Sequence, residues 1–122
     1  MKITDLKPEI VWKFFHQVTQ VPRPSKKEGK MIEFLESFAK QYKIAIKKDA
    51  VGNLLMSKPA TPGMEDRPVV VLQSHMDMVC EKNNGTKHDF DNDPIETIVD
   101  GEWLRANGTT LGADNGIGVA AE

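Results

Sequence analysis

The stretch "VVVLQSHMDMV", residues 69–79, joins four apolar residues, Val69 to Leu72, to a histidine and an aspartate two positions apart. A run with no polar alternation is expected of a central strand covered on both faces. Burial alone gives such a strand no use for His75 and Asp77 at its mouth. In a strand the side chains of residues i and i+2 share a face, so the two would stand side by side. A neutral imidazole is a common zinc ligand, and a neighbouring carboxylate often fixes its other ring nitrogen in the right tautomer.

Outward from this strand, local spacing predicts the remaining elements. In "KPEIVWKFFHQVTQ", Ile10, Val11, Phe14, Phe15 and Val18 recur at helical intervals, with Pro8 suited to a first turn. "VPRPS" then breaks the chain. Ser25 and Glu28 have capping-box spacing ahead of a second amphipathic run, Met31, Ile32, Leu35, Phe38, Ala39 and Tyr42. "IAIKKD" and "NLLMSK" are expected to be strands around a turn at Gly52, and "KPATPGMEDRP" a surface loop. "IETIVDGEWLRA" predicts a hairpin through Asp100-Gly101. Trp12, Phe14 and Phe15 are expected in the core. Helices preceding strands, with one strand covered on both sides, indicate an α/β sandwich.

Length and composition bound the function. A chain of 122 residues with 39% hydrophobic and 28% charged residues reads as one ordinary globular domain at most. Sixteen basic against 18 acidic residues give a net charge of −2, so no basic footprint points to nucleic acid. "MKITDLKPEI" has no apolar leader core and no run approaches membrane-spanning length, which predicts no membrane partner. A single cysteine, Cys80, leaves no internal disulfide and fits a reducing, cytoplasmic setting. The final "DNGIGVAAE" begins as a helix and reaches Glu122 with no stop signal. Isolated helices shorter than roughly 12–15 residues are marginal in water, so the sequence reads as a piece of a longer protein.

A second polar cluster, "TTLGADNGIG", sets Asp114 among Gly112, Gly116 and Gly118, where a helix begins. His75 and Asp114 with Asp77 behind would make half of a metal site. The spacing equally fits a hydrogen-bonded core histidine and an aspartate that caps the last helix. Other motifs fare less well. "GIGVAA" imitates a dinucleotide fingerprint, yet polar residues precede it where a buried strand is required. Asp89, Asp91, Asp93 and Asp100 imitate a calcium loop, but Pro94 stands where such loops need glycine. His88 reads as a loop residue, His16 as a helix residue and Cys80 as a part-buried thiol.

"VVVLQSHMDMV" followed by "GEWLRANGTTLGADNGIGVAAE" resembles the M20 family of dinuclear zinc peptidases. The resemblance is strongest to the aminoacyl-histidine dipeptidase branch. It rests on His75-Met76-Asp77-Met78-Val79, Lys82-Asn83, His88-Asp89-Phe90, Asp93-Pro94-Ile95 and Gly108 to Gly118. One departure is Cys80, where many relatives have proline.

The resemblance implies the N-terminal part of a zinc-peptidase-like mixed-sheet α/β sandwich, with residues 1–122 belonging to the catalytic, metal-binding domain. The rest of that domain and a lid domain would lie elsewhere in the longer chain. By the same resemblance His75 ligates one zinc ion, Asp114 bridges two, and Asp77 orients His75 as a catalytic residue. The peptide bond after the bridging aspartate, Asp114-Asn115, would be cis. The general base, a glutamate, and the remaining ligands would fall beyond Glu122, itself an ordinary helix residue. The implied parent is a cytoplasmic, homodimeric dipeptidase acting on Xaa-His and related dipeptides. These 122 residues alone would bind zinc weakly or not at all, lack activity and expose Ile117 and Val119. A related deacylase or tripeptidase, or a non-catalytic peptide-binding module, fits the same residues.

Overall fold

The structure, a computed structural model, describes residues Met1–Glu122. The chain forms two compact units, one of Met1–Met31 with Gln73–Glu122 and one of Ile32–Leu72. Three helices and four short strands make it α/β in class.

In the first unit, α1 (Glu9–Thr19) follows Pro8, whose bond to Lys7 is cis. Its apolar stripe buries Phe15 and Val18, while Ile10 lies off the stripe and is exposed. Ile3, Phe15 and Ala120 form the buried core, and Leu6, Trp12, Phe14, Leu104, Leu111, Ala113 and Ile117 pack against it. Burying one such phenylalanine stabilises the unit by about 1.5–3 kcal/mol. Ile117, expected to be exposed, is therefore half-buried against α1, and Val119 is half-buried too.

The second helix, α2, runs Gly29–Gln41. Ser25 does not cap it: the helix starts later, Glu28 accepts a hydrogen bond from the Lys26 amide, and the Ser25 hydroxyl turns to Asp77. Within the second unit, β1 (Ala45–Lys48) and β2 (Leu54–Ser57) pair antiparallel, Ala45 opposite Ser57 and Lys48 opposite Leu54. Their turn is organised by Asp49, whose carboxylate accepts from the Val51 and Asn53 amides, and by Gly52 at φ +94°. A side chain at Gly52 would be strained by that φ and would crowd Ile32.

In the first unit, β3 (Thr97–Asp100) and β4 (Trp103–Ala106) form the expected hairpin, turning through Gly101 and Glu102. The last element, α3, spans Ala113–Ala121 with non-helical backbone at Asp114 and Asn115. The Asp114-Asn115 bond is cis, as the resemblance implies. No helix is long and apolar enough to cross a membrane.

One expectation is corrected. Val69–Leu72 is not a strand covered on both faces: it joins no ladder, and its side chains are 64–90% exposed. A central strand is buried only when neighbours bond both its edges and helices cover both faces. Here the two hairpins pair within themselves, and the parallel pairing present is a single bridge between Pro24 and Met78.

Candidate metal centre

His75 lies between two carboxylates. Its Nδ1 stands 2.8 Å from Asp77 Oδ1 and its Nε2 2.9 Å from Asp114 Oδ1. The three residues singled out in the sequence therefore meet at one imidazole, with Asp77 on one ring nitrogen and Asp114 on the other. The ring is half-exposed, Asp77 is 32% exposed and Asp114 is 96% exposed, so the site opens to solvent on the Asp114 side.

Each side chain is placed by its own local structure. Asp77 is held from behind by Ser25, whose hydroxyl donates to Oδ2 at 2.5 Å. The Ser25 segment runs beside the Asp77 segment: Met78 donates its amide to the Arg23 carbonyl at 3.0 Å, and Ser25 donates to the Met78 carbonyl at 3.2 Å. Asp114 does not cap α3. That role falls to Asn115, whose Oδ1 accepts from the Gly118 amide at 3.1 Å, leaving the Asp114 carboxylate free to face His75. The capping alternative for Asp114 is thereby removed.

The electrostatics follow from this arrangement. The Asp114 carboxylate, then that of Asp77, raises the His75 pKa above its ordinary 6.5. A neutral imidazole has one N–H and so could serve only one of the two carboxylates; the imidazolium serves both. The hydrogen bond from Ser25, together with that from His75, holds the Asp77 carboxyl below its ordinary 3.8 against the opposing effect of burial.

The donor set suits a metal ion in kind and falls short in number. An imidazole nitrogen and a carboxylate oxygen are ordinary zinc donors, and the tie from Nδ1 to Asp77 leaves Nε2 as the ring's outward donor. No group of three or more His, Cys, Asp or Glu side chains is arranged to hold an ion alone. The carboxylates of the calcium-like stretch are engaged otherwise: Asp89 accepts from Asp91 and Asn92, Asp93 accepts from the Asp89 amide, and Asp91 pairs with Lys27.

Two residues of this neighbourhood escaped the sequence reading, Ser25 and Arg23. Ser25 has the spacing of a helix cap, and Arg23 lies inside "VPRPS", which reads as a chain break. Arg23 is 1% exposed and gives hydrogen bonds to the carbonyls of Met76, Asp77 and Gly112. The proline on each side of an arginine was the available signal, because a strap held extended has few other uses for them.

No family model matches the chain. Its relatives nonetheless bear out the resemblance to dipeptidases of the aminoacyl-histidine branch. The chain is 49% identical over 120 residues, 98% of its length, to the cytosol non-specific dipeptidase of Escherichia coli (strain K12). It also superposes on the crystal structure of aminoacylhistidine dipeptidase from Vibrio alginolyticus with a TM-score of 0.96 at 47% identity, over 99% of the chain. In both cases it spans 25% of the relative's length.

Proposed function

We propose that the chain supplies part of the metal site of a longer, cytoplasmic zinc dipeptidase. The observation that carries this reading is the imidazole of His75, tied at Nδ1 by Asp77 and facing the exposed carboxylate of Asp114 at 2.9 Å. The likeness to two dipeptidases over nearly the whole chain supports it.

In this reading His75 and Asp114 would hold zinc, Asp114 as the carboxylate common to both ions of the complete site. Zinc, when bound, supplies Lewis acidity towards a peptide carbonyl and activates water near neutral pH. The chain's own residues prepare the site. Ser25 fixes the Asp77 carboxylate, and Asp77 keeps a proton on Nδ1 so that Nε2 presents its lone pair. Asn115 caps α3 and leaves Asp114 uncommitted. Residues 1–122 thus form part of the catalytic domain, and the remaining ligands and the proton acceptor come from the rest of a longer, homodimeric protein. Its substrates are small peptides, Xaa-His dipeptides among them.

Two donors make a weak site, since catalytic zinc usually takes three protein ligands and a water. The 122 residues alone are therefore expected to bind zinc weakly and to turn over no Xaa-His dipeptide. Calorimetric titration with zinc, beside the His75→Ala and Asp114→Ala variants, tests the assignment. Equal zinc binding by all three proteins would refute it, whereas dipeptide turnover by the chain alone that disappears on mutating His75 would refute the expectation that these residues are inactive by themselves.

A further inference from the structure

The segments bearing Asp77 and Asp114 converge on one buried cation. Arg23 Nη1 donates to the Met76 carbonyl at 3.1 Å and to the Asp77 carbonyl at 3.2 Å, while Nη2 donates to the Gly112 carbonyl at 2.7 Å. One of these segments directly follows His75, and the other directly precedes the turn into Asp114. The planar guanidinium fixes the angles between its donors, so three carbonyls bound to it are held in a set relation to one another. A lysine ammonium is a single point and cannot reproduce that spread.

The glycines around Asp114 record how close this cation sits. A Cβ on Gly112 would lie 2.6 Å from Arg23 Nη2 and 2.8 Å from the Met78 sulfur, and Gly112 has φ +72°. A Cβ on Gly116 would also lie 2.6 Å from Nη2 and 3.1 Å from the Phe15 ring. Both positions are bare because the guanidinium occupies the space beside them. Elsewhere the two segments are joined by backbone: Lys82 bridges Thr109, and Thr110 donates its amide to the Glu81 carbonyl at 2.8 Å. That ladder lies on the far side of Val79 from the site residues. Side chains add two further ties, Ser74 Oγ to the Glu122 carboxylate at 2.8 Å and Thr110 Oγ1 to the Val79 carbonyl at 2.7 Å. The cross-link between the backbones that directly flank His75 and Asp114, however, is Arg23.

We propose that Arg23 is a positioning residue for the metal centre, setting the separation of His75 and Asp114 through its three carbonyl hydrogen bonds. The inference deepens the metal-site reading and rests on it for its functional meaning. The arginine touches neither metal nor substrate. It acts through the backbone on each side of the ligands.

The test uses the chain in its zinc-free form and with zinc alone. The Arg23→Lys variant keeps the charge and loses the fork. It is expected to unfold cooperatively in urea, like the parent. Its His75 ring 15N signals should shift towards those of a free imidazole, while His16 and His88 stay fixed as references in the same spectrum. Zinc affinity should fall about tenfold or more, the effect usual for residues that orient metal ligands. Unmoved His75 signals with unchanged zinc affinity in the folded variant would overturn the proposal. If Arg23→Lys fails to fold, Gly112→Ala replaces it: the arginine remains and the new methyl displaces it. Unmoved His75 signals in that variant would be equally fatal. Loss of fold in both variants would show that Arg23 supports the whole unit and not the site, and would also overturn the positioning role. If the unsubstituted chain binds no zinc while Arg23→Lys still shifts His75, the expectation of zinc binding by these 122 residues fails and the positioning role stands.

Discussion

Replacing Asp77 with asparagine alters one atom of the side chain and tests the logic of the site most sharply. The aspartate holds two short contacts, 2.5 Å to Ser25 and 2.8 Å to His75. The shape is kept, so the fold should survive; what changes is charge and hydrogen-bond direction. If the new amide nitrogen faces His75, it donates to Nδ1, the ring proton moves to Nε2, and the outward lone pair is lost. If the amide oxygen faces His75, the tautomer is kept but the partner is neutral, and charge-assisted bonds are roughly twice as strong as neutral ones. Ser25 can follow the second arrangement, because its hydroxyl also reaches the Met78 carbonyl at 3.3 Å. The second orientation therefore dominates, and the loss is one of charge. Residues that orient metal ligands are worth 10–100-fold in affinity, about 1.4–2.7 kcal/mol. Asp77 is 32% exposed, so water screens part of its effect and the lower end, about tenfold, is expected. Calorimetric zinc titration of Asp77→Asn, with urea unfolding as the control for fold, measures it. Parental zinc affinity in a folded Asp77→Asn chain would show that the carboxylate does not prepare His75 for a metal.

Phe15→Ala removes a ring that is 1% exposed at the centre of the core, and should lower stability by about 3–5 kcal/mol in urea melts. A change under about 1 kcal/mol would mean that α1 does not pack as described. Asp49 accepts hydrogen bonds from the Asn53 side chain and from the Asn53 and Val51 amides, so its carboxyl titrates below the ordinary 3.8. Stability from this turn is complete above that ordinary value and is lost as pH falls through the lower folded pKa; a 13C carboxyl titration with its midpoint at or above 3.8 would contradict it. Val70 is 79% exposed, so Val70→Lys should leave stability within about 0.5 kcal/mol and reduce self-association in sedimentation runs. A large loss of stability would show the segment to be buried after all.

What the sequence disclosed depended on the range of the interactions responsible. Both hairpins and α1 rest on contacts a few residues apart, and the spacing of Phe15 and Val18 or the turn at Gly52 displays them directly. Val69–Leu72 shows the limit of that reading. Its composition correctly describes a segment suited to burial, but burial is a property of neighbours, and nothing in these 122 residues bonds to its edges. The donors of the site were equally visible, because histidine and aspartate two positions apart announce their chemistry wherever they occur. What joins them was not visible: the partners of Arg23 lie 53, 54 and 89 residues along the chain.

The glycines of "TTLGADNGIG" make the same point from the other direction. Read in sequence, they signify freedom to bend, and Gly112 at φ +72° does use that freedom. Gly116 does not, since it has no positive φ; it is bare because Arg23 and Phe15 leave no room for a Cβ. Its side is thus fixed by residues from α1 and from the strap that follows. A Cβ at Gly116 would meet the guanidinium at 2.6 Å and the Phe15 ring at 3.1 Å. Strap and glycine loop therefore constrain each other. An arginine here requires glycine at 112 and 116, and glycines there leave a gap that a large planar cation fills while satisfying the Gly112 carbonyl. Such reciprocity ties the His75–Asp114 distance to the packing of the core as well as to the local loop, so changes in α1 near Phe15 should be felt at the imidazole.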